Sequence, residues 1–114
     1  MIESRITRGI VAWINGRPQC RAIKMHSGGS QGAGEPDVFS CIRGRLLLME
    51  VKRPGQKARP LQVRMLESWS KAGAATTVVT SLAEAQTAVR ILLDLPLPEG
   101  VEFDGQVTTP LENR

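Results

Sequence analysis

The chain is poor in the residues from which a zinc site or a disulfide framework is built. It holds two cysteines, Cys20 and Cys41, and one histidine, His26. The cysteines lie too far apart for a Cys-x-x-Cys pair, so a Cys/His zinc centre lacks its ligands. Free thiols in a reducing compartment are the expectation, with one structural disulfide as the alternative. Long apolar runs are missing as well. Leu46-Leu47-Leu48-Met49 and Ile91-Leu92-Leu93 fall far short of the roughly 18 residues that a membrane span needs. The opening Met1-Ile2-Glu3-Ser4-Arg5 has no apolar core of a secretory leader, so a cytoplasmic protein is expected. Residues 26–35 contain Gly28, Gly29, Gly32 and Gly34, but no Gly-Lys-Ser/Thr follows and the next element is a strand. That excludes a P-loop and leaves a loop able to fit around a ligand.

At 114 residues, 12.4 kDa and a mean hydropathy of −0.14, the chain has the size and balance of one globular domain. Its charge is unevenly placed. Through Leu93 there are 14 Lys and Arg against 6 Asp and Glu, a net of +8; from Asp94 onward five acids face Arg114 alone. A body that basic suggests a polyanionic partner, most often nucleic acid, against the plainer reading of an ordinary solvated surface.

Residues 2–14 read as a helix. At about 100° per residue, Ile2, Ile6, Gly9, Ile10, Trp13 and Ile14 fall within an arc of roughly 140°. Glu3 lies in the same arc, where a carboxylate must be paired, hydrated or functional. Gly9 inside this helix is read as a mark of close packing. Asn15-Gly16-Arg17-Pro18 ends the helix, and a strand is expected within Gln19–Met25. Asp37–Ile42 and Arg45–Val51 form a hairpin about Arg43-Gly44. Leu46–Met49 is apolar on both faces, the mark of a central, doubly covered strand. Pro60 opens a helix to about Ala72, with Gly73 as its stop. Ala75–Thr80 is a strand, and Ser81-Leu82-Ala83-Glu84 is a capping box that opens a last helix to about Leu93. The order α-β-β-β-α-β-α gives an α/β sandwich with a central mixed sheet flanked by helices. Residues 1–93 are expected to form the domain and residues 94–114 an acidic, proline-containing irregular tail.

The hairpin places chemistry at one end of the sheet. Partners about Arg43-Gly44 have numbers that total 87, which sets Asp37 opposite Glu50 on one face, with Lys52 on the same face two residues on. Below them the pairs Phe39–Leu48 and Cys41–Leu46 are expected in the core. Two facing carboxylates repel unless a cation or a proton separates them. With an ammonium beside them, they suit a hard divalent ion and phosphodiester hydrolysis; the plainer alternative is a surface ion pair. Gln62 falls within the apolar arc of its helix and needs a hydrogen-bond partner, either at the metal site or on a nearby loop backbone. The basic stretch Lys52–Arg59 and Arg64 would contact phosphates without reading bases, or else be simply solvated.

Gly34-Glu35-Pro36-Asp37, then Glu50-Val51-Lys52, then Gln62 after a Pro-Gly and a basic loop, resembles the VRR-NUC group of the PD-(D/E)xK nuclease superfamily over roughly residues 2–80. The resemblance implies a restriction-endonuclease-like fold. It implies Mg2+ or Mn2+ held by Asp37, Glu50 and the main-chain carbonyl of Val51, with Lys52 as the catalytic lysine. Gln62 and Glu3 match the family's helix glutamine and first-helix glutamate. Arg53, Lys57, Arg59 and Arg64 are the expected DNA contacts. Arg59 stands where the family has a capping Ser or Thr before Pro60, and the acidic tail has no counterpart. Stand-alone members of this kind are often phage-encoded homodimers selective for branched DNA such as four-way (Holliday) junctions. The expectation is therefore a metal-dependent structure-selective DNA endonuclease. Its rivals are a non-catalytic DNA-binding module and a nuclease of plain duplex DNA or RNA.

Overall fold

The computed structural model describes residues 2–26 and 33–101. The glycine-rich stretch from Ser27 to Gly32 and the expected tail beyond Val101 lie outside the described residues. The elements follow the expected order: α1 (Glu3–Asn15), β1 (Cys20–Lys24), β2 (Val38–Ile42), β3 (Arg45–Val51), α2 (Pro60–Lys71), β4 (Ala75–Val79) and α3 (Leu82–Leu93). The four strands form one sheet in the order β1-β2-β3-β4. The first two pairings are antiparallel and β3–β4 is parallel, so the sheet is mixed.

The hairpin register is the expected one, with Phe39 opposite Leu48 and Cys41 opposite Leu46. Its turn needs two residues with positive φ, which Arg43 (45°) and Gly44 (87°) supply. One sheet face carries Ala22, Val38, Ile42, Leu47, Met49, Val51 and Val79 against Ile6, Ile10 and Ile14 of α1 and Ala85, Val89 and Leu92 of α3. This is the main core. Ser40 lies in it because its hydroxyl donates to the Leu47 carbonyl at 2.6 Å.

The opposite face is covered by α2, and there one expectation fails. Leu48 is buried and half-buried Phe39 meets Trp69 edge to face, with ring centroids 5.4 Å apart. Cys41 and Leu46, expected in the core, are exposed. Period-two alternation tells which face a side chain occupies, not how far the covering helix extends over it. Gly9 corrects a second expectation: a Cβ there would meet nothing within 4 Å, so no close packing requires the glycine.

Two local devices hold the frame. The Asn15 amide pairs with both backbone groups of Ala22, donating to its carbonyl at 3.1 Å and accepting its N–H at 2.8 Å. The end of α1 is thereby fixed to the edge strand, and part of that edge is closed to foreign strands. At α3 the Ser81 hydroxyl accepts the Glu84 N–H at 3.1 Å, as expected, but Glu84 reaches back to Thr80 rather than to Ser81. Both cysteines are free thiols. No helix among the described residues is long and apolar enough to cross a membrane.

Candidate active site

Asp37 precedes β2, and Glu50 and Val51 end β3, so the hairpin delivers both acids to the same end of the sheet. The ladder stops at Val38–Met49. One step further the Val51 N–H donates not to a backbone carbonyl but to Asp37 Oδ2, at 2.8 Å. That bond fixes the Asp37 carboxylate within hydrogen-bonding reach of Glu50.

Glu50 is 2% exposed. Its Oε1 accepts from Gln62 Nε2 at 2.9 Å and lies 3.8 Å from Lys52 Nζ. Its Oε2 is buried and no donor among the described residues reaches it. Burial, the hydrogen bond with Asp37 and repulsion from the Asp37 charge push the Glu50 carboxyl up to about 8, against the pull of Lys52. A proton on Glu50 or a cation would satisfy that oxygen. The residues thus fit a divalent ion: two hard oxygen donors side by side, one of them uncompensated, at a strand end.

Gln62 resolves the two alternatives left by the sequence by taking both partners. Its Oε1 accepts the Arg59 N–H at 2.8 Å, the back-reaching half of a capping box, which orients the amide so that Nε2 faces Glu50. The helix start therefore fixes the amide that holds Glu50, a role the sequence reading gave to no residue. Lys52 is 8% exposed and is anchored by its own N–H, which donates to Val79 O of β4 at 2.9 Å.

The segment ahead of Asp37 is clamped onto α2. Trp69 Nε1 donates to Glu35 Oε2 at 3.0 Å. Gly34 has a φ of 82°, and a Cβ on it would come within 2.6 Å of the Leu61 side chain. This is the physical reason for a glycine three residues before the aspartate, which the sequence motif alone did not supply.

An open cavity of about 470 Å3 approaches the acids from the Asp37 side, lined by Glu3, Thr7, Lys24, His26 and Asp37 among others. Glu3 is half-buried and its carboxylate lies 3.9 Å from Arg53 Nε. It shares this cavity with Asp37 without joining the pair: among the described residues no three Asp, Glu, His or Cys side chains converge on one metal position. Arg53, Lys57, Arg59 and Arg64 are all exposed, and Arg53 Nε also donates to Gln56 Oε1 at 3.4 Å. Lys24 and His26 were not candidates in the sequence reading. The β1–β2 register, in which Lys24 faces Val38 and the Met25 N–H donates to the Asp37 carbonyl at 2.8 Å, brings them beside the aspartate. A constant-sum register across β1 and β2 would have found them, but the long connection between those strands has no turn signature to centre it.

No family model and no curated protein matches the sequence. Solved structures do. One titled "VRR_NUC domain protein" superposes with a TM-score of 0.73 at 19% identity, over 89% of this chain and 95% of its own. Another, titled "VRR_NUC domain", has a TM-score of 0.62 at 27% identity, over 77% of this chain and 94% of its own. The resemblance read from the sequence is met in the fold.

Proposed function

From the premise of a VRR-NUC fold, we propose that this protein is a divalent-metal-dependent endonuclease that hydrolyses phosphodiester bonds in branched DNA, four-way junctions being the expected substrate. The observation that carries the reading is the buried Glu50 Oε2 beside Asp37, an oxygen that no donor among the described residues reaches. Asp37, Glu50 and the Val51 carbonyl would hold Mg2+ or Mn2+, which supplies polarisation of the scissile phosphate and a water of lowered pKa. Gln62 keeps Glu50 in one rotamer by donating to Oε1 while its own oxygen is held by the Arg59 N–H. Lys52, buried to its ammonium and 3.8 Å from Glu50, orients the attacking water and offsets negative charge on the phosphoryl oxygens. Glu3 works from the cavity side, where its partner Arg53 ties it to the basic loop. Arg53, Lys57, Arg59 and Arg64 hold the duplex arms by their phosphates and carry no base preference. A two-fold homodimer would set two such sites on a symmetric junction.

The test is incubation of labelled four-way junction, flap and linear duplex with the protein in Mg2+, Mn2+ or EDTA, beside the Asp37→Ala variant. Cleavage of the junction that needs the metal and is lost in Asp37→Ala, with DNA binding as tight or tighter, is the expected result. The variant should bind no worse because a charge that repels phosphate has gone. Binding that weakens with salt but gives no cut with any divalent ion would instead identify a non-catalytic DNA-binding module. Light scattering that returns a monomer would remove the paired-site arrangement.

A further inference from the structure

The cavity beside Asp37 has an uneven electrostatic design. Two of its lining residues, Glu3 and Asp37, are acidic, and a phosphodiester that enters it meets their repulsion. On β1 and just after it, the same cavity carries two basic residues, Lys24 and His26. Both are exposed, and neither has an ion-pair partner among the described residues. Exposed side chains without a partner contribute little to folding. Yet they are held in place: Lys24 is the last rung of the β1–β2 ladder, and the Met25 N–H between them bonds the Asp37 carbonyl. Their backbone therefore sits at a fixed offset from Asp37. Lys52 and Glu50 do not line this cavity, so Lys24 and His26 are separate from the Lys52 side of the acids.

We propose that Lys24 and His26 form a phosphate seat for the DNA strand being cut, holding a phosphate next to the scissile one while Lys52 serves the scissile group itself. The proposal rests on the nuclease reading of the Asp37–Glu50 pair and adds to it the wall that threads the strand. The seat explains why a strand end at the sheet edge returns to the acids. Its chemistry is that of paired donors to a non-bridging phosphate oxygen, an ammonium and an imidazole, with no means of reading bases.

The test compares wild type with Lys24→Ala, His26→Ala and the double variant, using Lys24→Arg as the conservative replacement. Arg21→Ala serves as the control, since Arg21 is a cation of the same strand that does not line the cavity. Binding to a fluorescent four-way junction is measured in Ca2+ between about 50 and 200 mM KCl, and cleavage is then followed in Mg2+. One phosphate contact adds about 0.9 to the slope of log affinity against log salt. The double variant should lose roughly one unit of slope, bind about tenfold more weakly at low salt and raise KM for DNA more than it lowers kcat. Lys24→Arg should keep the slope, as should Arg21→Ala. A double variant whose slope and affinity match those of a cleaving wild type overturns the seat and leaves the nuclease reading standing. A wild type that neither binds nor cuts DNA overturns the nuclease reading, and the seat falls with it. Equal losses in the double variant and in Arg21→Ala assign the effect to general surface charge and overturn the seat.

Discussion

Replacing Glu50 with glutamine tests the electrostatics of the site without DNA. The folded chain holds a proton on Glu50 up to about pH 8, whereas a free glutamate releases it near 4.5. The folded state thus binds the proton more tightly than the unfolded state. In the absence of metal, the associated stability is fully present below about 4.5 and drains away as the pH rises through 8. Each pH unit in that window costs about 1.4 kcal/mol for one proton. Between about pH 5 and pH 8 the wild type should therefore lose on the order of 3 kcal/mol that the variant, with no proton to lose, retains. The amide introduced by Glu50→Gln would preserve the local bonds: its oxygen can accept from Gln62 Nε2 and its nitrogen can donate to Asp37. Lys52 faces a neutral Glu50 across this window, and its attraction to the carboxylate is already contained in the folded-state value of about 8. For a domain of this size the divergence is roughly 10 °C in Tm at pH 8. The assay is a series of thermal or urea melts in EDTA from about pH 5 to 8, repeated at the upper end with Mg2+. The cation should stabilise the wild type and not Glu50→Gln, since a ligand that binds only the folded state stabilises it. Equal pH slopes in the two proteins would refute the reasoning, because they would mean that folding does not raise the Glu50 pKa.

Lys52→Ala should fold and bind divalent metal, seen as metal-dependent stabilisation, but lower turnover by about 100-fold or more, the usual loss when one aimed cation or donor is removed. Unchanged single-turnover rates would take Lys52 out of the chemistry. Gly9→Ala should stabilise the protein by about 1 kcal/mol in denaturant melts, because a mid-helix glycine is costly and the added methyl meets nothing within 4 Å. A destabilised Gly9→Ala would show that the space above α1 is filled in solution.

Much of the architecture was legible because its signals are local. The arc of Ile6, Ile10 and Ile14 marks α1, and all three are buried. Arg43-Gly44 centres a hairpin whose two positive φ angles leave only one register, and that register alone places Asp37 and Glu50 at one strand end. Lys52 follows from alternation. Where the reading ran past its warrant, the cause is tertiary. Cys41 and Leu46 share a face with buried Leu48, yet α2 leaves them exposed, and no one-dimensional pattern records where a covering helix stops.

The sequence by itself thus determined the element order, the hairpin register and the acid pair with its lysine, since each depends on spacing within a few dozen residues and on backbone sterics that spacing dictates. The tertiary structure alone decided what those groups experience. Only packing buries Glu50 so that one oxygen lacks a donor, and only the docking of α2 lets Gln62 bridge Arg59 to Glu50. Only sheet assembly carries Lys24 and His26 across a long connection to the side of Asp37. Desolvation and through-space charge depend on distance in three dimensions, and distance along the chain does not fix them.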